Sequence, residues 1–303
     1  MAVDTRSVTQ RSVSHVRTLL FPRSERGRAR RRVVVLCLPF LTLATVSGFF
    51  PLVEMFRISV SEAQFVTRGF TLDAYRTLVT DPYYRNVAFN SLWFAAATTV
   101  ASLLVAIPVA HGLEKYDIRG KGALVTIISF PNSLPGIVAA FMIIVLLGNS
   151  GVITNFLAFL GGADPTSLAT ATSVVGLFFA YLYSMIPRSM LLLRGTYAEV
   201  NTDAEEAARS LGASPLKTFY YVTLPQIKPG VIGAVVLTFR TALAIFGTIL
   251  ILKSLVVWTL QINREIATGF DIAMASAMAT VWFVFVFGFT MLTLQYTSAE
   301  VSI

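Results

Sequence analysis

The strongest constraint on this chain is the distribution of its charges. From residue 122 to 163 no Asp, Glu, Lys or Arg occurs in 42 consecutive positions, and shorter uncharged runs cover 33–53, 86–110, 165–187 and 272–298. Residues 229–252 form a sixth apolar run, interrupted only by Arg240. A helix needs ~20 apolar residues to cross the hydrocarbon core, where each backbone N–H and C=O must be satisfied inside the protein. The 42-residue run is too long for one helix, and Gly148-Asn149-Ser150-Gly151 divides it into a span and a tail. The expectation is an all-α polytopic membrane protein with six transmembrane helices. At 55% apolar and 13% charged residues, with mean hydropathy +0.71, an ordinary soluble domain is excluded.

Basic residues orient the spans. The tail 1–32 carries nine Arg, the segment after His111 carries Lys115, Arg119 and Lys121, and the stretch between the fourth and fifth runs adds Arg188, Arg194, Arg209, Lys217 and Lys228. The opposite side holds Arg57, Arg68, Arg76, Arg85, Arg264 and Lys253. Both termini and the polar stretch are therefore expected in the cytoplasm. The domain organisation that follows is a basic tail, 1–32, and a six-helix membrane domain, 33–303. The tail is read as an anchor touching acidic lipid headgroups rather than as a nucleic-acid patch. Its long basic region, without an Ala-x-Ala site, is not a secretory signal. Outside the spans, 72–79 and 152–160 read as short amphipathic helices that either face an extracytoplasmic partner or cover the bundle.

The polar stretch, 195–229, contains EAARSLGASPLKTFYYVTLP, running from Glu206 to Pro225. Thr202-Asp203-Ala204-Glu205 reads as a capping box, so a helix should begin near Asp203. Ala204, Ala207, Ala208 and Leu211 share one face that another protein can approach closely. Gly212 ends this helix in the left-handed conformation, and Ser214-Pro215 opens a second one. Phe219, Tyr220 and Val222 give the second helix apolar knobs, and Pro225 and Pro229 are expected to stop it.

Glu206-Ala207-Ala208, three residues, Gly212, nine residues, Val222, one residue and Leu224-Pro225 together resemble the EAA loop of ABC-importer permeases. Val222 stands where that family more often has Ile. The resemblance implies a type I importer permease fold in a bacterial or archaeal inner membrane. In that family this loop seats in a groove of an ATP-binding subunit, which assigns ATPase coupling to Glu206, Ala207, Ala208, Gly212, Phe219, Leu224 and Pro225. The implied partners are two ATP-binding subunits, a second permease (a copy or a paralogue) and an extracytoplasmic solute-binding protein.

No GxxxxGK[ST], HExxH, GxSxG or CxxC motif occurs, and His15 and His111 lie on different segments. The chain is therefore expected to be neither an enzyme nor a holder of cofactor or metal, and to borrow energy from the ATPase. An ion-coupled carrier, the competing class, would usually carry mid-span carboxylates.

From Thr71 onward a second resemblance is to permeases for polyamines, phosphonates, ferric iron and oxyanions. It is carried by Pro131, Pro135, Gly136, Gly148 and Gly151, and by Phe239 and Phe246-Gly247. Ile245 departs from the acidic residue that sulfate and molybdate permeases tend to carry. The sugar-permease branch shares the EAA loop. Arg240 lies about 16 Å into its run, near the midplane. It either lines the path and attracts an anion or is structural, paired or snorkelling. Asn132 and Ser133, beside a helix break expected at Pro131 and Pro135, either line the path or satisfy the broken helix. A phosphonate or organophosphate is the substrate that Arg240 favours, with a polyamine as the alternative.

Overall fold

A computed structural model describes residues 25–62 and 69–301. Among these residues all regular structure is helical, and six segments are long and apolar enough to span a bilayer. The chain divides into two units, Met1–Ile58 and Ser59–Ile303. Most of the basic tail, 1–24, lies outside the described residues.

The described part of the first unit is nearly continuous helix: α1, Glu25–Ala44, a π turn at Thr45–Phe49, and α2, Phe50–Ser59. The domain boundary expected at Arg32 falls inside α1. Pro51 follows the π turn for a physical reason. A proline offers no N–H to the carbonyl four residues back, and its ring crowds that carbonyl. Widening the turn, so that Phe50 N–H reaches Thr45 O, passes the proline without breaking the helix.

The second unit begins with α3, Asp73–Thr80, followed by α4, Pro82–Lys115. Asp81 caps α4 through the Tyr83 N–H at 2.8 Å. Next come α5, Lys121–Ser129, a 3-10 turn, Phe130–Ser133, and α6, Gly136–Leu147. The Gly148–Gly151 turn leads to α7, Val152–Gly161, and then to the short α8, Pro165–Leu168. The short helices expected at 72–79 and 152–160 are present as α3 and α7.

Two expected spans shift. The third candidate segment is Gly136–Gly161, across the Gly148 turn, because the break at Leu134-Pro135 sets 122–133 apart. The fourth is not 165–187 but α9, Val174–Tyr197. Ser173 caps it, and the preceding strand of chain is pinned by Thr170 and Ala171 N–H donating to Leu147 O. Pro187 sits inside α9, so Arg188, expected among the loop charges, lies within a span.

After α9 come α10, Thr202–Ser210, α11, Pro215–Thr218, a π turn at Phe219–Thr223, and α12, Leu224–Ala244. Pro225 and Pro229 therefore do not stop the second helix. The π turn, in which Leu224 N–H bonds Phe219 O, carries the helix past Pro225 as the first unit's π turn carries it past Pro51. Instead the run breaks at Ile245, which is extended, before α13, Gly247–Leu252. The chain ends with α14, Trp258–Arg264, a π turn at Glu265–Gly269, and α15, Ile272–Val301.

α4 and α9 run together through two buried clusters. One contains Phe94, Tyr181, Met185 and Ile249; the other contains Leu103, Met190, Leu193 and Ile227. Fully buried Ala106, Ala110, Ala140 and Ala180 let helices approach closely, which matters where lipid offers no hydrophobic driving force for association. A third cluster, at the opposite end of α4, places Trp258 in a stack on Trp282 at 5.5 Å.

Candidate functional site

The EAA loop starts with a cap different from the one expected. Asn201 is the N-cap of α10, accepting from Asp203 N–H at 3.0 Å, so Thr202 is already helical and no Thr202–Glu205 capping box forms. Glu205 is freed to turn inward. The other end follows expectation: Gly212 has φ +87°, its N–H reaches Arg209 O, and Ala213 N–H reaches Ala208 O. Those two bonds make a Schellman cap around a left-handed glycine. Ser214 then caps α11 with Pro215 at its first position. Gln226 closes the loop, donating to Val222 O in the π turn and accepting from Asn201 N–H.

Glu205 is the loop's hidden anchor. One carboxylate oxygen lies 2.7 Å from Lys115 Nζ at the end of α4, and the other accepts from Thr223 Oγ1 in the π turn. The two charged side chains are 9% and 6% exposed. Burial alone would push the Glu205 carboxyl up, but hydrogen bonds from Lys115 and Thr223 and the Lys115 charge outweigh it and hold it below the ordinary value. Nearby, Glu114 receives both Lys121, at 2.8 Å, and Arg194. The loop is thus tied by charge to α4, and α4 in turn to α5 and α9.

This anchoring decides which loop residues face outward. Leu211, Leu216, Tyr220 and Tyr221 are 90%, 79%, 61% and 72% exposed. Glu206, Ala207 and Pro225 are exposed too, whereas Ala204 and Ala208 are half-buried. Of the expected knobs, Phe219 and Val222 are half-buried; the Phe219 ring packs on His111 at 4.8 Å, and Leu224 packs into the cluster around Ile227. Phe219 and Leu224 therefore seat the loop, and Tyr220 and Tyr221 supply the outward aromatic surface. The structure thus presents an apolar and small-residue surface on a rigid double turn.

The second feature lies at membrane depth. The breaks at Leu134-Pro135 and at Ile245-Phe246 lie side by side: Thr248 Oγ1 donates to Gly136 O at 3.0 Å, and Tyr181 OH donates to Ile245 O at 3.3 Å. Gly136 permits this approach, because a Cβ there would fall 2.9 Å from Thr248 Oγ1. Between the breaks is a cavity of about 90 Å³ whose lining includes Asn132, Gly136, Ser184, Arg188, Ile245 and Thr248. Arg188 Nε and Nη2 both donate to Asn132 Oδ1, at 3.2 and 3.1 Å. Among the described residues no carboxylate pairs with Arg188.

The expected path residues separate. Asn132 lines this cavity; Ser133 is exposed and does not. Arg240 is exposed on α12 beside Leu237 and Ala244 and is not in the cavity lining. Among the described residues it makes no ion pair. Arg188 and Glu205, missed as site residues, are the two that the tertiary structure singles out. Among the described residues no cluster of His, Cys, Asp and Glu could hold a metal ion.

Comparison with known proteins agrees with this architecture. A probable molybdenum ABC transporter permease of Haloferax volcanii is 26% identical over 204 residues, 65% of this chain and 72% of that protein. The spermidine/putrescine transport system permease PotB of Escherichia coli is 30% identical over 186 residues, 61% of this chain and 66% of that protein. The fold matches a crystal structure of a bacterial ABC transporter that imports the acidic polysaccharide alginate. That match has a TM-score of 0.75 at 15% identity and covers 90% of this chain and 96% of the other. Residues 102–298 match the family described as the binding-protein-dependent transport system inner membrane component. This chain belongs to that family: it is a multi-pass inner-membrane permease subunit of an ABC importer, and ATP hydrolysis belongs to a separate subunit.

Proposed function

We propose that this chain forms half of the translocation path of an importer for a small charged solute, with residues 201–225 as the cytoplasmic docking surface for the ATP-binding subunit. The observation that carries the docking assignment is the outward apolar strip of Leu211, Leu216, Tyr220 and Tyr221 on a loop locked by Asn201, Glu205 and Gln226. Exposed large apolar groups on a rigid surface mark a protein-binding site. Glu206, Ala207 and Gly212 stand on the same outward surface, with Phe219 and Leu224 holding it from beneath. Two ATP-binding subunits, a second permease and an extracytoplasmic binding protein complete the assembly in this reading. An alginate transporter has been crystallised in complex with its pentasaccharide-bound periplasmic protein, which supports such an arrangement.

For the solute, Arg188 and Arg240, two arginines at membrane depth with no carboxylate partner among the described residues, favour an anion, and the molybdenum-permease relative is consistent with an oxyanion. A phosphonate or organophosphate fits the same electrostatics, though neither named relative transports one by its description. A polyamine is the second reading, favoured by the 30% identity to PotB.

The test is reconstitution. Proteoliposomes holding the assembled importer and its binding protein should take up solute only with ATP. Leu211→Asp combined with Tyr221→Asp should release the ATP-binding subunit while leaving the permease inserted. Uptake by this chain alone, driven by an ion gradient, would sink the reading.

A further inference from the structure

We propose that Arg188, aimed by Asn132 into the cavity between the two interrupted helices, is a contact site for the oxyanion head group of the transported solute. This rests on the importer reading and narrows it. Arg188 lies about 21 Å along the axis from Val174 and about 14 Å from Tyr197 at 1.5 Å per residue, well inside the span. A cation at that depth is costly unless it is paired or meets water. The one polar partner Arg188 has, the Asn132 carboxamide, is neutral, so its charge is left uncompensated within the described chain.

A structural role in mending the breaks does not account for it. Pro131 O accepts from Leu134 N–H, Pro135 O from Val138 and Ala139 N–H, Gly136 O from Thr248, and Ile245 O from Tyr181. These carbonyls at the breaks are satisfied without Arg188. Its own geometry points elsewhere. A guanidinium has five N–H donors in a planar fork, and Asn132 engages one on Nε and one on Nη2, leaving three. The cavity they border also holds the Ser184 side chain and Gly136, the first residue of the 12-residue α6. A helix N-terminus adds partial positive charge and outward N–H groups at the same spot. Interrupted helices meeting at membrane depth are the construction by which a transporter exposes such groups to a solute. At about 90 Å³ the space can admit several waters or a small tetrahedral oxyanion. A polyamine would meet like charge there.

The experiment uses the complete importer, with both permease subunits and the ATP-binding subunits, in lipid nanodiscs without the binding protein. Radiolabelled sulfate and phosphate are the probes, with spermidine as the cationic comparison. Saturable oxyanion binding is expected, weakened about tenfold or more by Arg188→Gln, as for loss of a charge-assisted contact. Asn132→Asp is the stricter variant. It keeps the shape and strengthens the pair, so assembly should survive, yet it neutralises the guanidinium and should abolish oxyanion binding. A merely structural arginine would tolerate it. Oxyanion binding that is absent from the parent complex or unchanged in Asn132→Asp overturns the proposal. So does spermidine competing for the same site, or a carboxylate of the second permease bonded to Arg188 in a structure of the complex. ATP-driven uptake by the same complex, reconstituted into proteoliposomes with its binding protein, separates the two readings: if it persists while binding ignores Arg188, only this inference fails.

Discussion

Lys115 and Arg188 are both cations on long helices of the second unit, and the structure treats them in opposite ways. Lys115 meets Glu205 at 2.7 Å, and the far oxygen of that carboxylate is taken by Thr223. Charge and hydrogen bonds close within the chain. Arg188 meets only a carboxamide oxygen, and its charge stays open toward a cavity. A closed pair fixes geometry, here the seat of the EAA loop on α4. An open charge creates demand for something that the described chain does not provide. The contrast separates a residue that shapes a docking surface from one that meets a transient guest.

The most forceful way to break the comparison is to open the closed pair. Glu205→Ala leaves Lys115 buried without its counter-charge, a change that typically costs about 3–5 kcal/mol. Because Glu205 bridges α10, α4 and the π turn, the loss should appear as faster amide hydrogen exchange across residues 201–225 and weaker retention of the ATP-binding subunit. Glu206→Ala, one residue away but exposed and, among the described residues, unpaired, should leave exchange in the loop unchanged. The double variant Lys115→Met with Glu205→Leu should recover most of the loss, since an apolar pair of similar volume often replaces a buried ion pair without penalty. Equal exchange in Glu205→Ala and Glu206→Ala would show that the pair closes nothing.

A smaller effect sharpens the loop side alone. Gly212 holds φ +87° with nothing within 4 Å of where a Cβ would stand, so substitution there costs backbone strain and no clash. Gly212→Val should destabilise the turn by about 1–2 kcal/mol, and Gly212→Asn by less, because Asn tolerates the left-handed region. With membrane insertion intact, weaker co-purification of the ATP-binding subunit should follow the same order, Val below Asn below Gly. If Val and Asn co-purify alike, the left-handed cap does not control the docking surface.

What could be read from sequence divides along the same physical line. Uncharged runs of membrane length gave the six spans, and Gly212 and Ser214-Pro215 gave the double turn, because each signal is local. The Asn201 cap displaced the expected box because two neighbouring residues could each cap and only tertiary packing chose. Glu205 draws its meaning from Lys115, ninety residues earlier, which no local pattern links to it. Pro225 reads as a stop, yet a π turn supplies the extra residue that lets the helix pass. Ile245 carries no breaker signal at all; its extended backbone is held by Tyr181 from another helix. Arg188 was hidden by its own charge. It ended an uncharged run and so looked like loop, while α9 starts at Val174 and continues to Tyr197.

The smallest expected effect is a pH profile, and it tests whether the closed pair stays closed under all physiological conditions. Hydrogen bonds from Lys115 and Thr223, with the Lys115 charge, hold the Glu205 carboxyl below its ordinary value of 4.5 against the opposing push of burial. For a carboxyl lowered in the folded state, the stabilisation is present in full above the unfolded pKa and fades as pH falls through the folded one. The pair should therefore contribute undiminished at neutral pH and weaken only below 4.5. His111, an imidazole that acts on Glu205 and packs on Phe219, is removed by reading the profile in a His111→Phe background; there loop exchange rates, corrected for the intrinsic pH dependence of exchange, should be flat from about pH 8 to about pH 5. In Glu205→Gln they should be uniformly faster over the same window and should lose the acid-side inflection. An inflection between about pH 5 and about pH 8 that vanishes in Glu205→Gln would mean the carboxyl titrates there, and the loop would be a pH-sensitive element rather than a fixed seat.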